Sequence, residues 1–254
     1  MPNSAISATV VIPARFGSSR FPGKPLVSMA GKPLIQHVYE RVQGCQGVER
    51  VIVATDDTRI AEVVRRFGGD CMLMAESYRT GTDRVAGVAR QTPGSVFVNL
   101  QGDEVILDQD LLADLISRFV GSGTEIGTLK RALTSEGEIR NPSVVKVVTD
   151  QSGWALYFSR ATIPHIRDLN AGDSLVGPYF VHLGVYIYTR AALERFAALP
   201  TGMMEELEKL EQLRALEHGL RIRVWETCHR SLRIDTPEDV EEAARSLERC
   251  VPCR

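Results

Sequence analysis

A cationic loop follows the first apolar segment of the chain. The stretch "VVIPARFGSSRFPGKPL" runs from Val10 to Leu26, carries three cations, and contains no acidic residue. The cations are Arg15, Arg20 and Lys24. Glycine and serine residues between them allow the backbone to approach an anion and donate hydrogen bonds to it, as a polyphosphate site requires, although a solvated basic turn has the same composition. The spacing matches neither the Walker loop nor GxGxxG, which disfavours an ordinary ATPase or dinucleotide site.

Two aspartates follow strand-like segments elsewhere in the chain. Asp103 ends the apolar run of "VNLQGDE" and lies too far before the next predicted helix to cap it. Asp235 lies in "RIDTPEDVEEA" before Thr236, the predicted helix cap, so Asp235 either assists that helix terminus or is free for another task. Carboxylates at separate strand ends suit a hard cation such as Mg2+ that is shared with phosphates.

The combination of a cationic loop and two carboxylates indicates a class of reaction. Together they fit a nucleoside triphosphate bound with its metal, and no Ser-His-Asp or Cys-His set stands out for covalent catalysis. The reaction that fits is nucleotidyl transfer, in which a substrate hydroxyl attacks the α-phosphorus and pyrophosphate leaves. We expect positioning and electrostatics to carry most of the catalysis.

Alternating strand-like and helix-like segments must position these groups. The first half of the chain reads strand, helix, strand, helix from "ATVVIPA" through "DQDLLADLISRFV". This order predicts a doubly wound α/β fold, with a mainly parallel sheet and helices on both faces. Carboxyl ends of parallel strands meet at one edge, where open α/β sheets bind their ligands. The cationic loop and Asp103 are therefore expected at the same edge.

The pattern changes after Asn141. "SVVKVVTDQSGWALYFSR" reads as two strands joined at residues 150–153, which predicts a β-hairpin insertion at about residues 141–165. "MMEELEKLEQLRALEHG" reads as one strong helix that ends at Gly219. Since no internal repeat is present, we expect a single domain over residues 1–254.

Composition limits the class of protein. The chain has 254 residues, 44% of them hydrophobic, and a formal net charge of -2 that offers no field to attract nucleic acid or an anionic membrane. No apolar run approaches the ~20 residues of a spanning helix, and the start does not read as a signal peptide, which predicts a cytoplasmic protein. Five scattered cysteines predict reduced thiols, and Cys250 and Cys253 form only a weak metal or redox signal.

An ordered set of short motifs resembles one enzyme family. "IPARFGSSRFPGKPL", "ATDD", "GTDR", "NLQGDE", "VKVV", "ALYFSRATIP", "HLGVYIY", "LEQLR" and "DTPEDVE" occur in the order of the 3-deoxy-manno-octulosonate (Kdo) cytidylyltransferases, from about Val10 to Ala244. Sialic acid cytidylyltransferases are not similar to the "PGKPL" and "ALYFSRATIP" blocks. The resemblance implies a nucleotidyltransferase-type sheet and transfer of CMP from CTP to the anomeric 2-hydroxyl of Kdo. It also implies release of pyrophosphate and a role in lipopolysaccharide biosynthesis.

The resemblance implies roles for individual residues. The implied nucleotide-binding residues are Ala14, Arg15, Ser18, Arg20, Lys24, Thr80, Gly81 and Gln101. The implied sugar-binding residues are Gln101, Arg160, His182, Tyr186, Glu211 and Gln212. Asp103 and Asp235 are the implied Mg2+ ligands, and with Lys24 and Arg15 they form the implied catalytic set. A second Mg2+ is implied at the attacking hydroxyl.

Some of these residues have an ordinary structural interpretation without the resemblance. His182 on an apolar strand is typical of a core histidine. Glu211 and Gln212 lie in a highly charged segment that predicts a solvated helix face. Arg160 fits a subunit contact equally well. The hairpin resembles the family's dimerisation element and implies a homodimer.

Two positions depart from the family pattern. Val105 replaces the proline that usually follows "QGDE", and Ser231-Leu232-Arg233 replaces a Gly-x-Gly. Side chains therefore stand where backbone normally passes close to the sugar, which leaves open a related acid such as 8-amino-Kdo or a sialic-type acid. A nucleotide-binding regulatory module without catalysis is a more remote alternative, which the retention of both aspartates disfavours.

Overall fold

The structure, a computed structural model, describes residues 7–17, 21–76, 78–106, 108, 110–168, 179–229, 231–234 and 236–249. Its strands are β1 (Ala8–Ala14), β2 (Ser28–Met29), β3 (Lys32–Pro33), β4 (Val48–Thr55), β5 (Cys71–Leu73), β6 (Val96–Leu100), β7 (Glu104–Ile106), β8 (Ile126–Ala132), β9 (Lys146–Thr149), β10 (Ala155–Ser159), β11 (Phe180–Thr189), β12 (Arg223–Glu226) and β13 (Ser231–Arg233). Its helices are α1 (Leu34–Val42), α2 (Thr58–Arg66), α3 (Gly81–Gln91), α4 (Asp110–Phe119), α5 (Glu136–Arg140), α6 (Arg190–Ala198), α7 (Met203–Glu208), α8 (Gln212–Glu217) and α9 (Pro237–Arg249), and a 3-10 turn covers Lys24–Leu26. None of the helices in these ranges has the length and apolar character needed to cross a membrane.

One mixed sheet organises the fold. Its strand order is β10-β9-β11-β6-β1-β4-β5, and β8 lies on the other edge of β11, where it also pairs with β12. The run from β6 through β1 and β4 to β5 is parallel, which confirms the pattern predicted for the first half of the chain. β11 instead runs antiparallel to β6, β8 and β9.

Alternating residues of β1 face two separate core layers. Val10 and Ile12 pack with side chains of α1, α2, α4 and α9, whereas Val11 packs with side chains of α3 and α6. All three residues are fully buried. Because both faces of the strand are covered by helices, the segment reads as a continuous apolar run instead of an alternating one. The predicted placement of helices on both faces is confirmed.

The strand ends bring the predicted chemical groups to one edge. β1 ends immediately before Arg15, and its parallel neighbour β6 ends immediately before Gln101, so both segments leave the sheet at the same edge. A small antiparallel sheet of β7 and β13 joins them there. The backbone N–H of Ile234 donates to the carbonyl of Asp103 at 2.9 Å. The end of β13 is thereby fixed against Asp103.

The predicted hairpin is present beside this edge. β9 and β10 pair antiparallel, and Gly153 in the turn has φ of 79°, a left-handed conformation that favours glycine. Val181 of β11 pairs with Lys146 of β9, at a part of β11 that extends past the end of β6. The hairpin therefore continues the sheet at its carboxyl edge. The single-domain organisation over residues 1–254 stays a prediction.

The prediction of one long helix over residues 203–219 is wrong. α7 ends at Glu208, and Lys209 has φ of 54°, which stops the helix before α8 begins. The break lets Arg214 of α8 reach Glu205 of α7, nine residues earlier, at 2.6 Å. In one continuous helix these residues would lie about 13 Å apart along the axis. Leu207, near the end of α7, is 72% exposed.

Strand β8 was not predicted from the sequence. It lies between β11 and β12, yet Gly127, Lys130 and Arg131 give it a weak β pattern. Thr128 is fully buried in this strand, and its hydroxyl donates to the carbonyl of Val185 at 2.7 Å. Pairing on both edges and this side-chain hydrogen bond stabilise a strand whose own composition is a poor signal.

Candidate active site

Lys24 and Asp103 form an ion pair at the carboxyl edge of the sheet. Lys24 Nζ lies 2.6 Å from Asp103 Oδ2 and also donates to the carbonyl of Ile234 at 2.7 Å. The two side chains are 13% and 18% exposed, so the pair is shielded from bulk water but open to a ligand. Three separate segments meet at this ammonium group: the loop after β1, the turn after β6, and the end of β13.

Local backbone geometry places Lys24 at this position. Gly23 has φ of 73°, which favours glycine, and its amide donates to the carbonyl of Phe16 at 3.0 Å. Pro25 is buried and lies within the 3-10 turn that Lys24 begins. The loop therefore folds back on itself and directs Lys24 toward the end of β6.

A polar cleft opens at the same edge. It is formed by the end of β1, the start of α3, the turn after β6 and the residue before α8. Its lining residues are Pro13, Ala14, Arg15, Tyr78, Arg79, Thr80, Gly81, Arg84, Gln101 and Glu211. The structure therefore brings together five of the predicted nucleotide-binding residues, namely Ala14, Arg15, Thr80, Gly81 and Gln101.

The first turn of α3 forms one wall of this cleft, and its amides have protein acceptors. The Thr80 hydroxyl accepts from the amide of Asp83 at 3.1 Å. The Glu211 carboxylate accepts from the amides of Gly81 and Thr82, at 3.2 and 3.1 Å. A carboxylate at a helix N-terminus is favourable because it faces the positive end of the helix dipole. Glu211, predicted on the sugar side, is thus held against the nucleotide-side helix.

Two arginines of the cleft were not predicted. Arg84 is 5% exposed, and it pairs with Asp56 at 2.7 Å. Arg79 is more exposed and pairs with Asp83 at 3.1 Å. Both lie in "YRTGTDR", where a cation on either side of Thr80 was an available signal. Their carboxylate partners fix the two guanidinium groups along the cleft wall.

Tyr186 carries a buried hydroxyl group on β11. The residue is 7% exposed, and its hydroxyl has no hydrogen-bond partner among the residues that the structure describes. Burial holds the pKa of Tyr186 well above its ordinary value, so the hydroxyl remains a donor at every physiological pH. Tyr186 is not among the residues that line the cleft, and its sugar-binding role stays a prediction.

His182 lies next to Tyr186 on β11, with the two ring centroids 5.0 Å apart. Its Nε2 lies 3.0 Å from the hydroxyl oxygen of Thr128, and its ring meets Phe158 edge-on. Burial, with a smaller contribution from the charge of Arg233, lowers the pKa of His182 to about 3. The imidazole is therefore neutral at physiological pH. This packing fits the core-histidine interpretation, and the sugar-binding role stays a prediction.

Arg160 and Gln212 lie around α7 and α8, and neither lines the cleft. Arg160 Nε donates to the backbone carbonyl of Glu208 at 2.8 Å, and one of its terminal nitrogens donates to the carbonyl of Pro142 at 3.1 Å. Gln212 is buried at the first turn of α8. Their sugar-binding roles also stay predictions.

Several predicted positions lie outside the described residues. They are Ser18, Arg20 and Asp235, together with Cys250 and Cys253. Cys45, Cys71 and Cys228, which the structure does describe, form no disulfide with one another.

The oxygens around Lys24 test whether a hard cation fits this place. The Asp103 carboxylate and the Ile234 carbonyl are the kinds of ligand that Mg2+ uses, and they already converge on one positive group. Within the described ranges, no group of three or more His, Cys, Asp or Glu side chains could hold a metal alone. The donor set therefore fits a site completed by phosphate oxygens, and Mg2+ stays a prediction.

The lowered pKa of His182 predicts a pH-dependent stability. The usual pKa is 6.5, so as the pH falls from 6.5 toward 3 the unfolded chain binds a proton that the folded chain does not. The free energy of unfolding therefore decreases with acidification across this window. We expect His182→Gln, which keeps a hydrogen-bonding group near Thr128, to show a shallower decrease in denaturant titrations between pH 6.5 and 4. Parallel curves for the two proteins would contradict the assignment.

Comparison with known proteins identifies the family of the chain. Residues 9–222 match the family model described as cytidylyltransferase. The chain is 50% identical over 240 residues to the 3-deoxy-manno-octulosonate cytidylyltransferase of Syntrophotalea carbinolica, covering 92% of this chain and 96% of that protein. It is 44% identical over 253 residues to the enzyme of the same name from Geobacter sulfurreducens, covering 96% and 100%.

Solved structures show the same relationship. A CMP:2-keto-3-deoxy-manno-octonic acid synthetase complexed with CTP aligns with a TM-score of 0.86 at 39% identity, covering 96% of this chain and 99% of the other. The inositol-1-phosphate CTP transferase of T. maritima aligns with a TM-score of 0.64 at 15% identity, covering 98% and 99%, which shows a shared fold alone. The chain belongs to the cytidylyltransferase family and, within it, to the 3-deoxy-manno-octulosonate cytidylyltransferases.

Proposed function

We propose that this chain transfers CMP from CTP to the anomeric 2-hydroxyl of Kdo, giving CMP-Kdo and pyrophosphate. The observation that carries the proposal is the Lys24–Asp103 pair, which lies at the same edge of the sheet as the polar cleft. Relatives named for this activity and the CTP complex of a similar structure support it. We assign the product to lipopolysaccharide biosynthesis and the reaction to the cytoplasm, where CTP is available.

Charge neutralisation is the main task of the nucleotide side. Arg15 is exposed at the cleft, and Lys24 lies at the adjoining edge, so both cations are placed to attract the triphosphate and to offset charge on departing pyrophosphate. The Asp103 carboxylate would hold Mg2+ together with Asp235, and bound Mg2+ would supply Lewis-acid charge at the transferred phosphate. Asp103 also orients the Lys24 ammonium group before substrate binds, which reduces reorganisation during the reaction.

Orientation of the acceptor is the main task of the sugar side. The buried Tyr186 hydroxyl provides a donor that keeps its proton, and the Gln101 side chain donates to Asn99 at 3.0 Å, which fixes its amide at the cleft. A fixed donor set orients a polyhydroxylated acid for in-line attack by one of its hydroxyls. Contact between Arg160 and the sugar carboxylate is proposed by resemblance to the family.

A related ulosonic acid is a second candidate substrate, which one observation favours. Ser231, at the first position of the family's Gly-x-Gly, donates a short hydrogen bond to the buried carboxylate of Glu104. A Cβ added at Gly184 would lie 2.9 Å from Glu104 Oε2 and 3.9 Å from the Cγ of Gln101. The altered segment therefore contacts a carboxylate next to the predicted sugar-binding residue Gln101.

Substrate choice is testable by pyrophosphate release. With CTP and Mg2+, we expect the highest kcat/KM for Kdo and lower values for 8-amino-Kdo and sialic acid, because the motifs resemble the Kdo family and the relatives are named for it. A higher kcat/KM for the 8-amino analogue than for Kdo would identify the related ulosonic acid as the substrate. Binding of CTP without pyrophosphate release with any acid would instead support the regulatory module.

The role of Asp103 is testable by an isosteric change. We expect Asp103→Asn to lower kcat by at least about 100-fold, since it removes both the proposed metal ligand and the partner of Lys24. Asp114→Asn is the matched control, because Asp114 forms a surface ion pair with Arg118 at 2.7 Å. Pyrophosphate release and circular dichroism of both variants give the measurement. Turnover by Asp103→Asn at the level of the control would refute the assignment.

An apolar surface beside the hairpin supports a homodimer, which we propose as the working assembly. Leu156 of β10 is 61% exposed, and Met203 and Leu207 of α7 are 63% and 72% exposed. The Tyr157 hydroxyl contacts the Met204 sulfur at 3.7 Å, so α7 lies next to β10. Exposed apolar side chains of this size on two neighbouring elements are typical of a surface that a partner covers.

The assembly is testable by sedimentation. We expect the wild-type chain to sediment as a dimer and Leu156→Glu to sediment as a monomer, because the added charge would be buried in the interface. Leu73→Glu is the control, as Leu73 is also exposed but lies on β5, at the other end of the sheet path. A wild-type monomer that persists on concentration, or a dimer in Leu156→Glu, would count against this interface.

A further inference from the structure

Residues 203–217 connect the hairpin to the cleft. They comprise α7, the turn at Lys209 and α8, and we call them the bridge. At the end of α7, the Glu208 carboxylate accepts from the Ser159 hydroxyl at 2.5 Å and from the backbone amide of Arg160 at 2.9 Å. The bridge is thereby attached to the last residues of the hairpin, on the side where the sugar-binding residues are predicted.

Before α8, the bridge is attached to the nucleotide side. The Glu211 carboxylate accepts from the amides of Gly81 and Thr82 in the first turn of α3. Glu211 lies only three positions after Glu208, which makes the contact with the hairpin. A single short segment therefore contacts the helix that lines the cleft and the hairpin that carries Arg160.

A buried guanidinium group fixes the bridge to α3. Arg214 is fully buried; its Nε and one terminal nitrogen bind the two Glu205 oxygens at 2.8 and 2.6 Å. Its other terminal nitrogen lies 3.0 Å from Asp83 Oδ1. Glu205 belongs to the bridge, whereas Asp83 belongs to α3. The hydrogen bond with Glu205 and the charges of both carboxylates hold the pKa of Arg214 above its ordinary value.

The two carboxylates have different consequences for the site. The Glu205 pair joins α7 to α8 inside the bridge, so it stabilises the bridge itself. The Asp83 pair joins α8 to the first turn of α3. In that turn Thr82 directly precedes Asp83, and the amide of Thr82 donates to the Glu211 carboxylate. Because Glu211 and Arg214 are three residues apart at the start of α8, both contacts fix the same turn.

We propose that the Arg214–Asp83 ion pair is a positioning contact that sets the sugar subsite relative to bound CTP. The inference rests on the proposed function for the identity of the two substrates. Arg214 is fully buried and does not line the cleft. It acts through Glu211, which accepts from the amides of Gly81 and Thr82, and through the neighbouring Gln212. Lys24 and Asp103 lie on other segments, so loss of the contact leaves the phosphate side intact.

A matched pair of variants separates positioning from simple stabilisation. Asp83→Asn and Glu205→Gln each remove one carboxylate charge from Arg214 and keep the size of the side chain. We expect Asp83→Asn to raise the KM for Kdo by at least about tenfold. Glu205→Gln should lower the melting temperature while both KM values stay within about threefold of wild type. Equal KM values for Kdo in the two variants would overturn the proposal.

Arg79 requires its own control. It lines the cleft and pairs with Asp83 at 3.1 Å, so Asp83→Asn also releases Arg79. Arg79→Gln removes that contact while leaving the Arg214 pair in place. We expect this variant to change the KM for CTP and not the KM for Kdo. A KM for Kdo raised as much as in Asp83→Asn would assign the effect to Arg79 and overturn the proposal.

Hydrogen exchange tests the positioning role without turnover. In Asp83→Asn, the amides of Gly81 and Thr82 should exchange at least about tenfold faster, because their hydrogen bonds to the Glu211 carboxylate are no longer maintained. In Glu205→Gln they should exchange within about threefold of wild type. Wild-type exchange in Asp83→Asn refutes the positioning role, whereas a wild-type chain inactive with CTP and Kdo refutes the proposed function.

If Asp83→Asn does not fold, a triple variant without these three charges provides the same test by hydrogen exchange. Combining Asp83→Asn, Glu205→Gln and Arg214→Gln removes every charge of the cluster, and replacing a whole buried ionic group is tolerated better than leaving one charge unpaired. We expect the same rise in exchange at Gly81 and Thr82, because the amides cannot reproduce the fixed guanidinium fork. Wild-type exchange in this folded triple variant would overturn the proposal.

Discussion

The ammonium of Lys24, held between the Asp103 carboxylate and the Ile234 carbonyl, is the contact on which the geometry of the site depends. A shielded charge is stable only when its partners are in place, and these partners come from segments far apart in the chain. The parallel register of β1 and β6 sets the distance between the cationic loop and Asp103, and the pairing of β7 with β13 brings Ile234 to both. The main sheet, the cationic loop after β1 and the sheet of β7 and β13 must therefore form together.

The cleft presents side-chain cations and a helix terminus whose first amides are already bonded. The N-terminus of α3 faces the cleft, but its first three amides already donate to Thr80 and Glu211. Such a terminus has little capacity left for a phosphate. The cations at this edge are side chains: Arg15, Arg79 and Arg84 line the cleft, and Lys24 lies beside Asp103. The first turn of α3 serves as a wall that the Glu211 carboxylate and the Thr80 hydroxyl hold in place.

The antiparallel part of the sheet determines how the acceptor side is built. β11 extends past the end of β6, and this overhang carries His182 and pairs with the hairpin, whereas Tyr186 lies opposite Asn99 of β6. The bridge then connects the hairpin to α3. Acceptor residues are thus supported by the sheet on one side and by a buried ionic cluster on the other. Both supports are rigid, as orientation of a substrate hydroxyl requires.

Much of the nucleotide side could be predicted from the sequence, because its signals are local. The periodicity from β1 to α4, the cationic loop and the carboxylate after β6 each occupy a few consecutive residues. Parallel strand order then places the loop and Asp103 at one edge. The acceptor side was less accessible, since Arg160, His182 and Gln212 have ordinary structural interpretations and owed their assignment to the family resemblance.

The sequence by itself determined the order of the first strands and helices and the residues that can carry charge at their ends. Tertiary structure alone decided where the helix of residues 203–219 breaks, that β8 becomes an interior strand, and which helix Glu211 caps. Each of these outcomes depends on contacts across long separations, such as Arg214 with Asp83 or Thr128 with Val185. Local propensity cannot encode such contacts, because their free energy appears only when distant segments are packed together.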